Sequence, residues 1–302
     1  TTDVDGTLET FSGIASANGA GAITFTENVT IAAGNTATTL INAVTNLSGL
    51  TFASANAVTF GNAATDQVNL QAANVNITTT GAGAAGALTF NSLVDGRFDL
   101  VLTTSGATQF DQNVGSGTSI GDGTGAAITI NSTGTTDVDG TLETFSGIAS
   151  ANAAGAITFT ENVTIAAGDT ATTLINAVTN LSGLTFQSAG NVTFGNAAGA
   201  DQVNLQAANV NITTTGTGAL TFTSLVDGRF DLALTTAGTT TFAGNVGSAA
   251  SIGDGTGAAI TINSAGATNV NGTLQTFSGI ASVNGAGAIT FTENVTIAAG
   301  DT

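Results

Sequence analysis

The chain has 302 residues, 42% of them hydrophobic and only 7% charged, and its alphabet is narrow: 41 Gly and 16 Phe, but no Pro, Cys, Met, Trp, Tyr, His or Lys. A mean hydropathy of +0.34 with so little charge is not the composition of a disordered chain, and without cysteine there is neither a disulfide framework nor a thiolate metal site. Twenty acids against two arginines give a formal charge of −18, which repels phosphate backbones and anionic headgroups; nucleic acid is not expected as a partner and acidic membrane surfaces are poor ones, and no apolar run is long enough to insert in a bilayer.

The opening stretch, TTDVDGTLETFSGIASAN at 1–18, returns letter for letter at 135–152 and again at 267–284 as ATNVNGTLQTFSGIASVN. Thr2, Thr136 and Thr268 are equivalent, so the chain divides into long repeats 2–135 and 136–267 and a partial repeat 268–302. Asp3, Asp5 and Glu9 could be imagined as calcium ligands, yet the third copy carries Asn269, Asn271 and Gln275 instead. A turn stabilised by short polar side chains survives that exchange, and a charge-dependent cation site does not. TLETFSGI itself suits either a strand or one helical turn.

Next come short alternating segments. ITF, LTF, VNL, LTF, TQF and ITI end on Phe25, Phe52, Leu70, Phe90, Phe110 and Ile130, and the second copy repeats them at Phe159, Phe186, Leu205, Phe222, Phe242 and Ile262. An apolar residue two places before most anchors, with a polar one between, is the period of a strand with one buried face. One such strand per coil, stacked in parallel on its copies, predicts about six coils in each long repeat. Further clusters such as VTI at 29–31, VTF at 58–60 and FDLVL at 98–102 supply a second face. Glycine-rich stretches such as GAGAAG and GDGTG are the corners. The absence of proline fits strands paired along both edges.

NTATTLINAVTN, from Asn35, and DTATTLINAVTN, from Asp169, place Leu40, Ile41 and Val44 (Leu174, Ile175 and Val178) at helical spacing behind a capping residue. They predict a short helix on the long coil. The fold expected is all-β: one continuous right-handed parallel β-helix over 1–302, with that helix added. The chain lacks an initiator Met and stops inside a unit that earlier copies complete, and reads as a window of something longer.

Candidate chemistry is sparse. Arg97 and Arg229 sit in identical LVDGRFDL segments; if these are extended, Asp95, Arg97 and Asp99 share one face as a structural ion-pair cluster. SIGDGTGAAITI, with Asp122 echoed at Asp254, superficially resembles calcium-binding glycine-aspartate repeats, but it occurs once per long repeat and reads as a corner. Hydrolysis by a paired carboxylate would need an asymmetric cleft, and an ice-binding face would need uniform threonine columns, whereas the residues after the anchors are mixed. The ENVT sequons carry little weight in a chain so rich in Asn and Thr. Neither catalytic, cofactor-binding nor metal residues are assigned.

The coils AITFTENVTI, LTTAGTTTFAGNVGS and AAITINS resemble the repeat regions of very large bacterial surface proteins, the filamentous-haemagglutinin-like exoproteins and autotransporter adhesins. The resemblance implies a right-handed parallel β-helix exported to the cell surface. The expected role is a non-catalytic structural repeat of an extracellular fibre, sheath or filament that associates with itself end to end or laterally. The alternative is an adhesin stalk that reaches a host or neighbouring cell through a tip located elsewhere.

Overall fold

The computed structural model describes residues 1–302 except 18, 20, 33–37, 64, 152–153, 167–172, 197–200, 284 and 299–302. The chain divides into two compact units, Thr1–Gly155 and Ala156–Thr302. Each is a right-handed parallel β-solenoid of stacked coils.

In the first unit a coil has three strand positions, one on each of three sheets, filled by a strand or, at Ala15 and Val114, by a single bridge. The first sheet stacks Thr2–Val4, Ile23–Phe25, Thr45–Ser48, Gln67–Gln71 and Leu93–Asp95, and single bridges carry it on from Val94 through Val114 to Leu142. The second holds Leu8–Thr10, Val29–Ile31, Thr51–Ser54, Val75–Thr79, Leu100–Thr104, Ala126–Ile130 and Gly147–Ser150. The third holds Thr39–Ile41, Val58–Phe60, Leu88–Phe90, Thr108–Phe110 and Thr136–Val138. All pairings within them are parallel and keep buried residues in columns. Phe25, Leu47 and Leu70 line up on the first sheet; Val29, Phe52, Ile77, Leu102 and Ile130 line up on the second. Ile41, Phe60, Phe90, Phe110 and Val138 do so on the third. Alternation puts these side chains inward and their neighbours outward.

The sequence anchors therefore do not form one column. Phe25 and Leu70 lie on the first sheet, Phe52 and Ile130 on the second, and Phe90 and Phe110 on the third. Each sheet imposes the same demand on its strands, a buried residue every second position, so strands from different sheets look alike in sequence. The long repeat comprises seventeen strand positions, counting the bridged Ala15 and Val114, which at three to a coil make five and two-thirds coils. Its restart is accordingly displaced by one sheet: Thr2–Val4 belongs to the first sheet and the identical Thr136–Val138 to the third.

The second unit repeats the plan. Ile157–Phe159, Thr179–Ser182, Gln202–Gln206 and Leu225–Asp227 form one sheet. Val163–Ile165, Thr185–Ser188, Val210–Thr214, Leu232–Thr236, Ala258–Ile262 and Gly279–Ser282 share the next. Thr173–Ile175, Val192–Phe194, Leu220–Phe222, Thr240–Phe242, Thr268–Val270 and Ile289–Phe291 share the third. Here too the repeated ITF segment moves from the first sheet, at Ile157–Phe159, to the third, at Ile289–Phe291.

The interior is rich in stacked aromatic rings. In the first unit Phe60, Phe90 and Phe110 stack nearly parallel, with centroids 5.4 and 4.7 Å apart, and Phe52 meets Phe25 and Phe60 edge-on. Phe194, Phe222 and Phe242 stack in the same way in the second, at 5.5 and 4.8 Å. Corners are closed by buried hydroxyls: Thr104 Oγ1 lies 2.8 Å from Thr108 Oγ1, and Thr214 Oγ1 donates to the Gly218 carbonyl at 2.6 Å. On the outside of the first sheet, Asn69 Nδ2 donates to Asn46 Oδ1 and Asn46 Nδ2 to Thr24 Oγ1, an amide ladder between coils.

No helix forms over the segment expected to be one. Thr39–Ile41 and Thr45–Ser48, and their twins Thr173–Ile175 and Thr179–Ser182, are strands. Thr39 and Ile41 point inward and Leu40 outward, in register with Val58–Phe60. A buried threonine had disguised a period of two, and the β-branched residues favour the strand. The capping residues Asn35 and Asp169 lie outside the described residues. TLETFSGI also resolves to strand, as Leu142–Thr144 and Gly147–Ser150. Helical structure among the described residues is a single 3₁₀ turn, Gly83–Gly86, in the corner GAGAAG. The second repeat, three residues shorter here, turns through residues 215–218 instead.

Candidate functional site

The repeated LVDGRFDL segments make a corner, not an extended strand. The strand Leu93–Asp95 ends at Gly96, whose φ of +139° turns the chain outward before it re-enters at Leu100. Asp95, Arg97 and Asp99 therefore do not share a face, and the ion-pair cluster is absent: among the described residues neither Arg97 nor Arg229 makes an ion pair or hydrogen bond. Arg97 is exposed while Asp95 and Asp99 are buried.

Those two carboxylates hold backbone. Asp95 Oδ1 accepts the N–H groups of Gly117 and Thr118 at 3.0 and 3.1 Å, and Oδ2 accepts Gln67 Nε2 at 2.9 Å. Asp99 Oδ1 accepts the Asp122 N–H at 3.2 Å and Oδ2 accepts Asn74 Nδ2 at 2.9 Å. Asp227 and Asp231 do the same, to Ala249 and Ala250 and to Asp254 and Asn209. Together they pin the excursion 115–125 against the corner at Arg97. Asp122 closes its own turn by accepting the Thr124 N–H and hydroxyl at 2.8 and 2.7 Å.

The electrostatics follow from this packing. Desolvation by burial raises the Asp99 pKa above 3.8, with the Asp122 charge adding to it against the lowering by its hydrogen bonds; Asp231 is raised likewise. The Thr124 hydroxyl and N–H hold Asp122 below the same value, as those of Thr256 hold Asp254. A raised carboxylate binds its proton more tightly when folded, so its contribution to stability is full below 3.8 and is lost as pH rises through the raised value. The lowered pair contribute above 3.8 and lose that contribution as pH falls through the lowered value. We expect the thermal midpoint, followed by circular dichroism, to rise on acidification from neutrality towards 3.8 and to fall at lower pH. The double variant Asp99→Asn, Asp231→Asn should flatten the upper limb.

Beside each corner is a groove. In the first unit it has a volume of about 530 Å³ and is lined by Arg97, Phe98, Ser119, Asp122 and Phe145 with the backbone of the excursion. In the second a groove of about 360 Å³ holds Arg229, Ser251, Asp254 and Phe277. Sequence reading flagged Arg97, Arg229, Asp122 and Asp254 but missed Phe145 and Phe277, each 42% exposed. The signal was present: Phe145 falls outside the alternating pattern that buries phenylalanines such as Phe52, Phe90 and Phe110.

The remaining acidic candidates stand apart. Asp137 and Glu143 are the outward residues of Thr136–Val138 and Leu142–Thr144, and Asp139 accepts Gln109 Nε2 at 2.6 Å. Asn269 and Gln275 occupy the same outward positions in the third copy. Asp3 and Glu9 likewise sit singly on strands, and among the described residues no group of three or more His, Cys, Asp or Glu side chains could hold a metal. No helix among them is long and apolar enough to cross a membrane. No protein-family model, curated protein or solved structure matches the chain.

Proposed function

We propose that the chain is a non-catalytic structural repeat of an extracellular or cell-surface fibre, sheath or filament, of the kind built by large bacterial surface proteins. The observation that carries this reading is the in-register stacking of successive coils, built from long repeats that are nearly identical in sequence. The core columns recur, and the outward strand positions tolerate exchanges such as Asp137 to Asn269 and Glu143 to Gln275. An elongating scaffold tolerates that drift, whereas a reaction centre needs fixed groups at fixed separations. The carboxylates with shifted pKa values support the same reading. Each oxygen of Asp99 accepts a hydrogen bond, one from backbone and one from Asn74, so the carboxylate serves as a tie between coils. With no lysine and two arginines, trypsin has few places to cut.

The test is electron microscopy of the source cells with an antibody raised against TLETFSGIASAN. Continuous label along uniform filaments or a sheath is the expected result. Label confined to short surface rods would replace this reading with that of an adhesin stalk, and label inside the cell would overturn both.

A further inference from the structure

We infer that the groove beside Arg97, and its twin beside Arg229, is a binding site for a neutral saccharide unit, an activity separate from the scaffold role. Three observations converge on it. First, both arginines of the chain occupy this one place, and their guanidinium donors are unspent among the described residues. An exposed, unpaired Arg in a chain with twenty acids is positioned by something other than a structural ion pair.

Second, an aromatic ring is kept open beside it. A Cβ at residue 123 would stand 3.0 Å from Cε1 of Phe145, and Gly123 has a φ of +91°. Gly255 spares Phe277 in the same way, at 3.0 Å and +93°. The glycines thus leave a ring accessible where any side chain would crowd it. Third, the two repeats have drifted along the wall of the groove, at residues 117 and 118, but not at its charged and aromatic side chains or its serine. Gly117 and Thr118 become Ala249 and Ala250, which still give their backbone N–H groups to the aspartate, while Arg, Ser, Asp and Phe all remain. Next door, Asp137, Asp139 and Glu143 become Asn269, Asn271 and Gln275.

The chemistry of the set selects the ligand class. An aromatic face takes the C–H face of a pyranose, guanidinium donors and a carboxylate acceptor fix its hydroxyls, and grooves of 360 and 530 Å³ lie in the range of small-ligand sites. Arg97 is balanced by Asp122, with Asp95 and Asp99 behind, so the site carries no excess positive charge to draw an anion. A neutral sugar fits this balance better than an acidic one.

The experiment is saturation-transfer NMR on the whole chain with maltohexaose, cellohexaose, mannohexaose and chitohexaose, and with hexagalacturonate as the anionic comparison. Transfer to the ring protons of at least one neutral oligomer is expected. It should weaken about tenfold in the double variant Phe145→Ala, Phe277→Ala, as truncation of a central aromatic anchor does, and also fall in Arg97→Gln, Arg229→Gln, with unchanged circular dichroism in each. Transfer to none of the four neutral oligomers, transfer to hexagalacturonate alone, or transfer indifferent to both double variants would overturn the inference. So would a loss of self-association in sedimentation of the Phe variant without any sugar effect, which would make the groove a contact with a second copy.

Discussion

Replacing Phe90 by alanine should cost about 3 to 5 kcal/mol of unfolding free energy, the range for deleting a buried aromatic ring and leaving a cavity. The ring is fully buried and lies between Phe60 and Phe110, with centroids 5.4 and 4.7 Å away, so both of its faces lose a partner. The flanking strands are paired in register on both sides and cannot slide inward to fill the space without breaking ladder hydrogen bonds. Coils in a solenoid contact only their neighbours, so the damage concentrates near Leu88–Phe90 and should appear as a broadened or split urea transition by circular dichroism. Phe145→Ala is the control. Its ring is 42% exposed and outside the core columns, and surface changes of that kind stay within about 0.5 kcal/mol. Equal losses for the two variants would show that the phenylalanine columns do not carry the core.

The contrast between these two phenylalanines also marks what sequence could and could not reveal. Period-two alternation identified the strands, and the long internal repeat identified their stacking, because a side-chain period of two and identical successive units are direct consequences of a parallel solenoid. What it could not reveal was which sheet each strand joins. Phe25, Phe52 and Phe90 carry the same local signature but lie on three different sheets, since that signature records only that one face is buried. The count of strands per coil needs the corners, and corners are encoded by single residues such as Gly96. Thr39 misled for a related reason: a threonine can be buried once its hydroxyl has a use in the interior, and the alternation Thr39, Leu40, Ile41 then reads backwards. At the candidate site, the charged residues were visible and their arrangement was not. Asp95, Arg97 and Asp99 alternate in sequence, but a single positive φ at Gly96 breaks the extended run, and the excursion 115–125 then covers the two aspartates with its backbone N–H groups and leaves the arginine exposed.

That dependence on one glycine gives the second large effect. Gly96→Ala should lower stability by about 4 kcal/mol, combining roughly 1 to 3 kcal/mol of backbone strain with a similar cost for forcing an atom into filled space. At φ of +139° the residue occupies a region that L side chains rarely adopt, and an added Cβ would stand 2.3 Å from the Leu70 carbonyl oxygen and 2.9 Å from the Leu70 nitrogen. Those atoms belong to the strand Gln67–Gln71 and are held by its ladder, so they cannot retreat as a flexible side chain would. Gly228 repeats the arrangement, at +140° and 2.4 Å from the Leu205 oxygen, and should respond alike. Gly125→Ala separates strain from crowding. Its φ of +74° is also left-handed, but nothing lies within 4 Å of the added atom, so only the conformational cost of about 1 to 2 kcal/mol remains. Urea midpoints for the three variants should therefore fall in the order Gly125→Ala above Gly96→Ala and Gly228→Ala. A Gly96→Ala chain as stable as the parent would mean that the corner can be built another way. The placement of Asp95, Arg97 and the groove beside them would then no longer follow from the sequence.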